Sequence, residues 1–428
     1  MDIEKNLPKI LVVTVEPWDE SNSTGNTLSN LFSDYDISKI AHLYFLSSKP
    51  KNSICNKYFS LNIFKIMKKR IKLRNNFINE NNNINLNIEN KLKIFFREKF
   101  TTLGRFVQEL FWLVFFHGDG DLINFVKNFK PEIIFVPSIY SIYPYRITLK
   151  LLKLTNSNLV LFLMDDYLDF NPKNIFKAIY QKILKKNLLK ITNNSKLIYT
   201  ISNKMRLEYK KKYGFDSKIL YKGNDFSDVN KEKYYPTNSD FIKIVYTGNL
   251  TFGGRWKSLK LLRDVLYENN LKYSVEIYSQ IEIPKKVFKD VFDNKKIVFK
   301  GNLPYHKLKE LYKKTDILLF LESIEENDTY LSRLSFSTKI VDYLFANRCI
   351  LAISSKKVAS TQYLIENDAA IVTDNKKELS EILLKIQEKR EILSEYAEKA
   401  WNCGLKNHQI ENIQYELLND IKKIKEKD

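Results

Sequence analysis

Apolar runs of strand length alternate with helix-length segments on both sides of one polar break, and this alternation leaves the chain few ways to fold. Before the break, strands are expected at 9–15, 40–46, 131–137, 159–164 and 197–200. The runs Pro131-Glu-Ile-Ile-Phe-Val-Pro137 and Leu159-Val-Leu-Phe-Leu-Met164 are continuously apolar, which suits parallel strands buried on both faces. Helices are expected at 27–32, about 103–116, and near 145–154, with Ser202 capping another. The break, 225–240, is rich in Asp, Asn, Ser and Lys and reads as a linker. After it, strands are expected at 242–247, 274–278, 297–299, 316–321, 349–353 and 370–372.

Such alternation predicts an α/β chain with two Rossmann-like, doubly wound domains facing a cleft. The expected boundaries are 1–230 and 241–405, with 406–428 a C-terminal helix packing back on the first domain. In sheets of this kind ligands bind beyond the carboxyl ends of the strands, so the strand-to-helix loops are the places to search.

The length of 428 residues suits two domains, and 44% hydrophobic with 13% aromatic content is enough for two cores. No apolar run approaches the ~18 residues that span a bilayer. Met1-Asp-Ile-Glu-Lys5 lacks the order of a signal peptide, and Cys55, Cys349 and Cys403 lack metal or redox spacing. A cytoplasmic location is expected.

The net charge of +20 points to an anionic partner. It concentrates in two stretches: 65–105 has eleven Lys/Arg against three Glu, and 173–196 has seven Lys and no acid. In the second, Ile175/Phe176, Ile179/Tyr180, Ile183/Leu184 and Leu188 recur at helical spacing opposite Lys177, Lys182, Lys185 and Lys186. Such a helix either packs its stripe on a core or lies on anionic lipid, which makes an anionic membrane surface a candidate partner and the inner face of the membrane a candidate station. Nucleic acid is not expected, for no helix-turn-helix, zinc-finger or RNA-binding signature occurs. Residues 75–90 are low-complexity and are read as a mobile loop.

Arg333-Leu-Ser-Phe-Ser-Thr-Lys-Ile-Val-Asp342 gathers hydroxyls, two cations and a carboxylate just after an apolar run. A turn opening a helix offers unpaired N–H groups and a positive dipole end to an anion. Lys339 adds a point charge for phosphate, and Asp342 can take ribose hydroxyls. An N-capped surface helix, with Ser335 or Ser337 as cap, is the alternative. A second cradle, Gly248-Asn-Leu-Thr-Phe-Gly253-Gly254-Arg255-Trp-Lys257, lets backbone approach a ligand and supplies two cations. The loop from Glu16 to Asn26 holds the equivalent place in the first half, with Gly25 giving room for substrate. Asp165 and Asp166 follow a strand, and Asp119-Gly-Asp121 is a weak diphosphate–metal motif equally explained as a turn. With four scattered histidines, a His-rich metal centre is not expected.

The order of these pieces resembles the GT-B glycosyltransferases, in particular the group 1 (family 4) enzymes of bacterial surface polysaccharides. Thr247-Gly248-Asn249-Leu250 with Lys257 is similar to that family's Gly-Arg-Leu and Lys-Gly pair. Ile297-Val-Phe-Lys-Gly301-Asn-Leu-Pro, then Thr315-Asp316-Ile-Leu-Leu-Phe and Glu322-Ser323, resembles its approach to the donor site, and Ser335 to Ala346 takes the place of its diphosphate and ribose contacts. The chain departs from the pattern where Asn249 replaces an Arg and Leu334 stands eight positions before Asp342, where an acid is usual.

The resemblance implies hexosyl or related transfer from a nucleotide-diphosphate sugar to a glycan acceptor, lipid-linked, in capsule or lipopolysaccharide biosynthesis. Gly248, Lys257, Glu322, Arg333, Ser335, Ser337, Thr338, Lys339 and Asp342 are the expected donor contacts. Asp165 is the expected catalytic residue, and Gly25 marks the acceptor loop. No metal or other cofactor is required, because side-chain cations and a helix N-terminus neutralise the leaving diphosphate. The alternatives are a nucleotide-sugar epimerase of the same plan and a non-catalytic glycan- or nucleotide-binding relative.

Overall fold

A computed structural model describes residues 7–62, 66, 102–115, 119–170, 172, 174–227, 234–236, 239–330 and 332–426. The expectations for residues 1–5 and 75–90, most of the basic 65–105 stretch, and part of the 225–240 break lie outside these residues. The chain divides into two compact units. The first comprises Met1–Thr200, Phe215–Lys218 and Glu416–Asp428; the second comprises Ile201–Gly214 and Ile219–Tyr415.

The first unit is built on strands β1 (Ile10–Val13), β2 (Ile40–Tyr44), β3 (Lys57–Ser60), β4 (Ile133–Pro137), β5 (Asn158–Leu163) and β6 (Leu197–Thr200), edged by β7 (Lys218–Ile219). Their order is β3-β2-β1-β4-β5-β6-β7, and the pairings from β3 to β6 are parallel. Every residue of β1, β2 and β4 is buried, as continuous apolar runs require when helices cover both faces. Its helices include α1 (Ser23–Phe32), α2 (Thr102–Phe115), α3 (Gly120–Phe129), α4 (Tyr143–Thr155) and α5 (Ile175–Asn194).

The second unit begins with helix α6 (Asn203–Tyr213), capped by Ser202 as expected. Strands β8 (Ile242–Thr247), β9 (Tyr273–Tyr278), β10 (Ile297–Gly301), β11 (Ile317–Leu321), β12 (Cys349–Ile353) and β13 (Ile371–Thr373) form an all-parallel sheet ordered β10-β9-β8-β11-β12-β13. Helices α7 (Arg255–Glu268), α8 (Lys285–Val291), α9 (Leu308–Lys313), α10 (Glu326–Thr329), α11 (Lys339–Ala346), α12 (Ala359–Glu366), α13 (Lys376–Glu388) and α14 (Glu391–Asn407) accompany it. Ile244, Leu262, Val275, Ile297, Leu319 and Leu351 sit together in its core, each 1% exposed or less. Each such burial stabilises by about 1.5–3 kcal/mol relative to leaving the side chain in water.

The last helix, α15 (Ile410–Glu426), gives its second half to the first unit. There Asp420 accepts the Tyr199 hydroxyl at 2.9 Å and pairs with Lys218 at 2.5 Å, while Lys425 pairs with Glu132 at 2.8 Å.

Both sheets reverse winding direction at the same point, β1/β4 in the first and β8/β11 in the second. A doubly wound sheet opens a crevice where the connections part to opposite faces. The three cysteines are buried free thiols; burial pushes Cys55 up to about 12 and Cys349 well above the usual thiol range. Among the described residues no helix is long and apolar enough to cross a membrane.

Candidate functional site

At the switch point of the second sheet, β8 delivers Gly248 and β11 delivers Glu322, while α7 and α11 begin with Arg255 and Lys339. Lys339 is half-buried as a residue, but its amine turns inward. It donates to the Thr247 carbonyl at 2.6 Å and stands 4.6 Å over the Tyr246 ring. A Cβ at residue 248 would run into this amine, and Gly248 has φ of 133°, so glycine is needed here for both space and backbone. Arg255 donates to the Asn249 carbonyl at 3.2 Å and pairs with Glu322 at 2.5 Å. Glu322 is 2% exposed, and its second oxygen is buried with no hydrogen-bond partner among the described residues.

Two basic groups are therefore held close together in a poorly solvated place. Burial lowers the Lys339 amine to about 7; neighbouring Arg255 pushes it the same way, and Glu322 and Asp342 only partly oppose them. Burial is the largest single influence on Arg255 and disfavours its charge, but Glu322 and Tyr246 together outweigh it and keep the guanidinium above its ordinary value.

The other expected cations are engaged elsewhere. Lys257 pairs with Glu325 and, at 2.8 Å, with Asp328 on the short α10. Arg333 meets both oxygens of Glu208, on α6, at 2.7 Å. Asp342, in the first turn of α11, pairs at 2.7 Å with Lys222, itself 4% exposed. Leu334 is fully buried, and its carbonyl accepts the Ser202 hydroxyl at 2.6 Å. Where the resemblance leads one to look for an acid, the chain has a core residue.

The hydroxyls also differ from the alternative reading, in which Ser335 or Ser337 caps the helix. Thr338 is the N-cap of α11 without a side-chain bond, and the Ser337 carbonyl accepts from Ile340 N–H at 3.0 Å. Ser360 ties the turn together, accepting the Ser337 N–H at 2.9 Å and donating to the Ser335 carbonyl at 3.3 Å. Lys222 went unnoticed in the sequence because the two-residue β7 before it carries no strand signal, and Ser360 because it lies inside α12 rather than in the loop after β12.

At the switch point of the first sheet, a cavity of about 300 Å³ is lined by Glu16, Gly25, Arg105, Ser138, Tyr140 and Tyr180 among others. Arg105 lies over the Tyr140 ring at 4.6 Å and donates to the Tyr140 carbonyl at 3.2 Å. Helix α1 starts earlier than the sequence suggests, because Asn22 caps it by accepting the Gly25 N–H at 2.7 Å. Gly25 thus lies in the first turn, and the space its Cβ would fill is taken by the Asp19 backbone. Asp165 follows β5 beside the cavity but does not line it; its carboxylate accepts the Tyr167 hydroxyl at 3.0 Å. Asp166 instead accepts the Asp169 N–H at 2.9 Å. Asp119 caps α3 by accepting the Asp121 N–H at 3.0 Å, which is the turn alternative for that pair; His117 lies outside the described residues.

Buried Glu109 of α2 accepts three hydrogen bonds on one oxygen, from Ile142 N–H at 2.7 Å, Tyr180 at 3.0 Å and Ser141 at 3.2 Å. Burial raises its carboxyl above the usual range against the pull of those donors.

No family model matches the sequence, and no curated protein matches it. Solved structures do. HepE of Anabaena, crystallised with UDP and glucose, superposes with a TM-score of 0.62 at 12% identity, over 97% of this chain and 100% of that one. A glycosyltransferase of Rickettsia africae gives 0.58 at 15% identity over 98% and 99%. WaaG, a glycosyltransferase involved in lipopolysaccharide biosynthesis, gives 0.58 at 10% identity over 96% and 99%. The fold is that of the GT-B glycosyltransferases, two parallel sheets with flanking helices.

Proposed function

We propose that this chain is a glycosyltransferase that takes a sugar from a nucleotide-diphosphate donor held at the β8/β11 switch point of the second unit. One observation carries the reading: the Lys339 ammonium is enclosed against Gly248 with the Arg255 guanidinium close by, at the end of a parallel sheet. Placing two cations there costs stability, and a bound diphosphate offsets that cost. As the bond from sugar to diphosphate breaks, negative charge grows on the leaving phosphate oxygens. Cations already fixed in a poorly solvated pocket stabilise that charge without reorganising. No metal is needed in this reading.

Gly248 gives the diphosphate close backbone approach, and Ser335, Ser337 and Thr338 offer it hydroxyl and N–H groups at the start of α11. Asp342 takes the ribose hydroxyls, its orientation held by Lys222. Glu322, already oriented by Arg255, is the acid available to the sugar in place of one at position 334. Lys257 and Arg333 join the diphosphate only after leaving Glu325, Asp328 and Glu208, so Lys339 and Arg255 are its main cations.

The acceptor is a glycan bound in the cavity of the first unit beside Gly25, whose lining includes the polar groups of Glu16, Asn22, Gln108 and Ser138. Asp165, tied to the cavity-lining Ser138 through its backbone N–H, activates the acceptor's hydroxyl after releasing the Tyr167 hydroxyl. The acceptor is lipid-linked, destined for a surface polysaccharide, and the protein works as a peripheral protein on the cytoplasmic face of the membrane. The basic α5 supports this: its first turn leaves Ile175 (69%), Phe176 (59%) and Ile179 (48%) exposed, while Tyr180, Leu184 and Leu188 supply the packed stripe.

The neighbour bound to UDP-glucose suggests the first probe. UDP-glucose should raise the melting temperature, and UDP should be released only when a glycan acceptor is present. Conversion of UDP-glucose without any acceptor would favour an epimerase, and no stabilisation by UDP-, GDP- or dTDP-sugars would sink the reading.

A further inference from the structure

A second cavity of the first unit, about 530 Å³, lies among α2, α4 and α5. Four cations line it: Arg146 and Lys150 on α4, and Lys186 and Lys190 on α5. Each pair is spaced i,i+4 and so shares one helix face, and none of the lining residues is acidic. Like charges at this spacing repel, which gives an anion something to relieve. Between them Asn187 accepts from Arg146 at 3.4 Å, holding that guanidinium across the groove.

Apart from Tyr143, the rest of the lining is apolar. Trp112 and Leu113 come from α2, Ile147 from α4 and Ile183 from α5. On α5 the face runs Ile179, Ile183, Lys186, Lys190, apolar toward the helix start and basic toward its end. Leu110 (60%) and Leu113 (53%) on α2 and Ile179 (48%) on α5 are exposed. Tyr143 stacks on Trp112 with ring centres 4.7 Å apart and 13° between planes, and it lines both this cavity and the one beside Gly25.

We propose that this cavity seats the phosphate head of an anionic lipid, with the start of its hydrocarbon chain laid over Trp112, Leu113 and Ile183. A free phosphate would use the cations but leave the apolar walls without a partner. A neutral alkyl chain would do the reverse. Only a molecule carrying both covers the lining, and its neighbourhood across Tyr143 suits the lipid-phosphate end of an acceptor whose sugar occupies the first cavity. The inference rests on the reading of a lipid-linked acceptor and gives that acceptor's anionic end a specific address.

The test uses the full chain and three monomeric probes: dihexanoyl phosphatidate, dihexanoyl phosphatidylcholine and inorganic phosphate. Phosphatidate should bind at least ~10-fold more tightly than either of the others. Lys186→Gln with Lys190→Gln should weaken it by about 10-fold or more, and the exposed Lys150→Gln should weaken it in the same direction. Lys177→Gln with Lys182→Gln removes equal charge from α5 outside the cavity and should leave binding within about 2-fold. Phosphate binding as tightly as phosphatidate, or equal losses in the two double variants, would overturn the proposal. UDP-glucose stabilisation, measured on the same samples, separates the two readings. If it persists while phosphatidate fails to bind, only the lipid site falls. If it is absent while phosphatidate binds as described, the donor reading falls instead.

Discussion

The Lys339 ammonium occupies the space that a side chain on residue 248 would need. The two residues are far apart in sequence, one following β8 and the other opening α11, and each limits what the other can be. Alanine at 248 must adopt a φ suited to glycine and also evict the amine. Gly248→Ala should therefore reduce donor-induced stabilisation by about 10-fold in apparent affinity, measured as the UDP-glucose dependence of the melting temperature. Full retention would show that the amine can sit elsewhere and still serve.

Lys339→Met should stabilise the empty protein while abolishing its response to UDP-glucose. Burial depresses the Lys339 amine to about 7 from the ordinary 10.5, so in the range between those values the unfolded chain holds more protons than the folded one. Stability then rises with pH across that window, and the penalty of the buried charge is greatest below it. The gain in melting temperature from Lys339→Met should accordingly be larger at about pH 6 than at about pH 9. Donor affinity of the unaltered protein should fall as pH climbs above about 7, since only the ammonium attracts phosphate.

Breaking the Arg255–Glu322 pair from one side should cost about 3–5 kcal/mol in urea unfolding, because the remaining charge is left buried. Glu322 is the more enclosed partner, at 2% against 14% side-chain exposure. Arg255→Ala should therefore be the more damaging single change. Arg255→Met combined with Glu322→Leu should recover most of that loss while leaving donor binding impaired.

Asp165→Asn should lower turnover by about 100-fold and leave UDP-glucose stabilisation unchanged. Among the described residues lining the cavity beside Gly25, Glu16 is the only acid, so Glu16→Gln is the informative companion. A larger loss at Glu16 than at Asp165 would transfer the general-base role to Glu16.

Long apolar runs made most of the fold legible. β4 and β5 announce themselves because parallel strands buried on both faces need no alternation, and the placing of Gly248 and Glu322 at strand ends followed from the same logic. Short or polar elements were harder to see. β3 reads Lys-Tyr-Phe-Ser and earns its place only by pairing with β2, and β7 is two residues long. Partnerships across long sequence distances stayed hidden. Nothing near Lys222 foretells that it meets Asp342, nor anything near Arg333 that Glu208 on another helix holds it. Lys257 reads as a phosphate ligand from its place after a glycine loop, and nothing in that loop signals its pairing with Glu325, just before α10, and with Asp328 within it. Counting cations in a loop says where charge can gather; it does not say which charges are already spoken for.

The buried thiols have a practical bearing on the work this protein invites. With all three native cysteines enclosed and burial raising the thiols of Cys55, Cys349 and Cys403 alike, the folded chain resists thiol-directed dyes and spin labels. A cysteine introduced at exposed Ile179 or Leu113 becomes the one reactive handle on the native protein. Probe chemistry can then report bilayer depth or ligand arrival without first stripping the natural cysteines from either core.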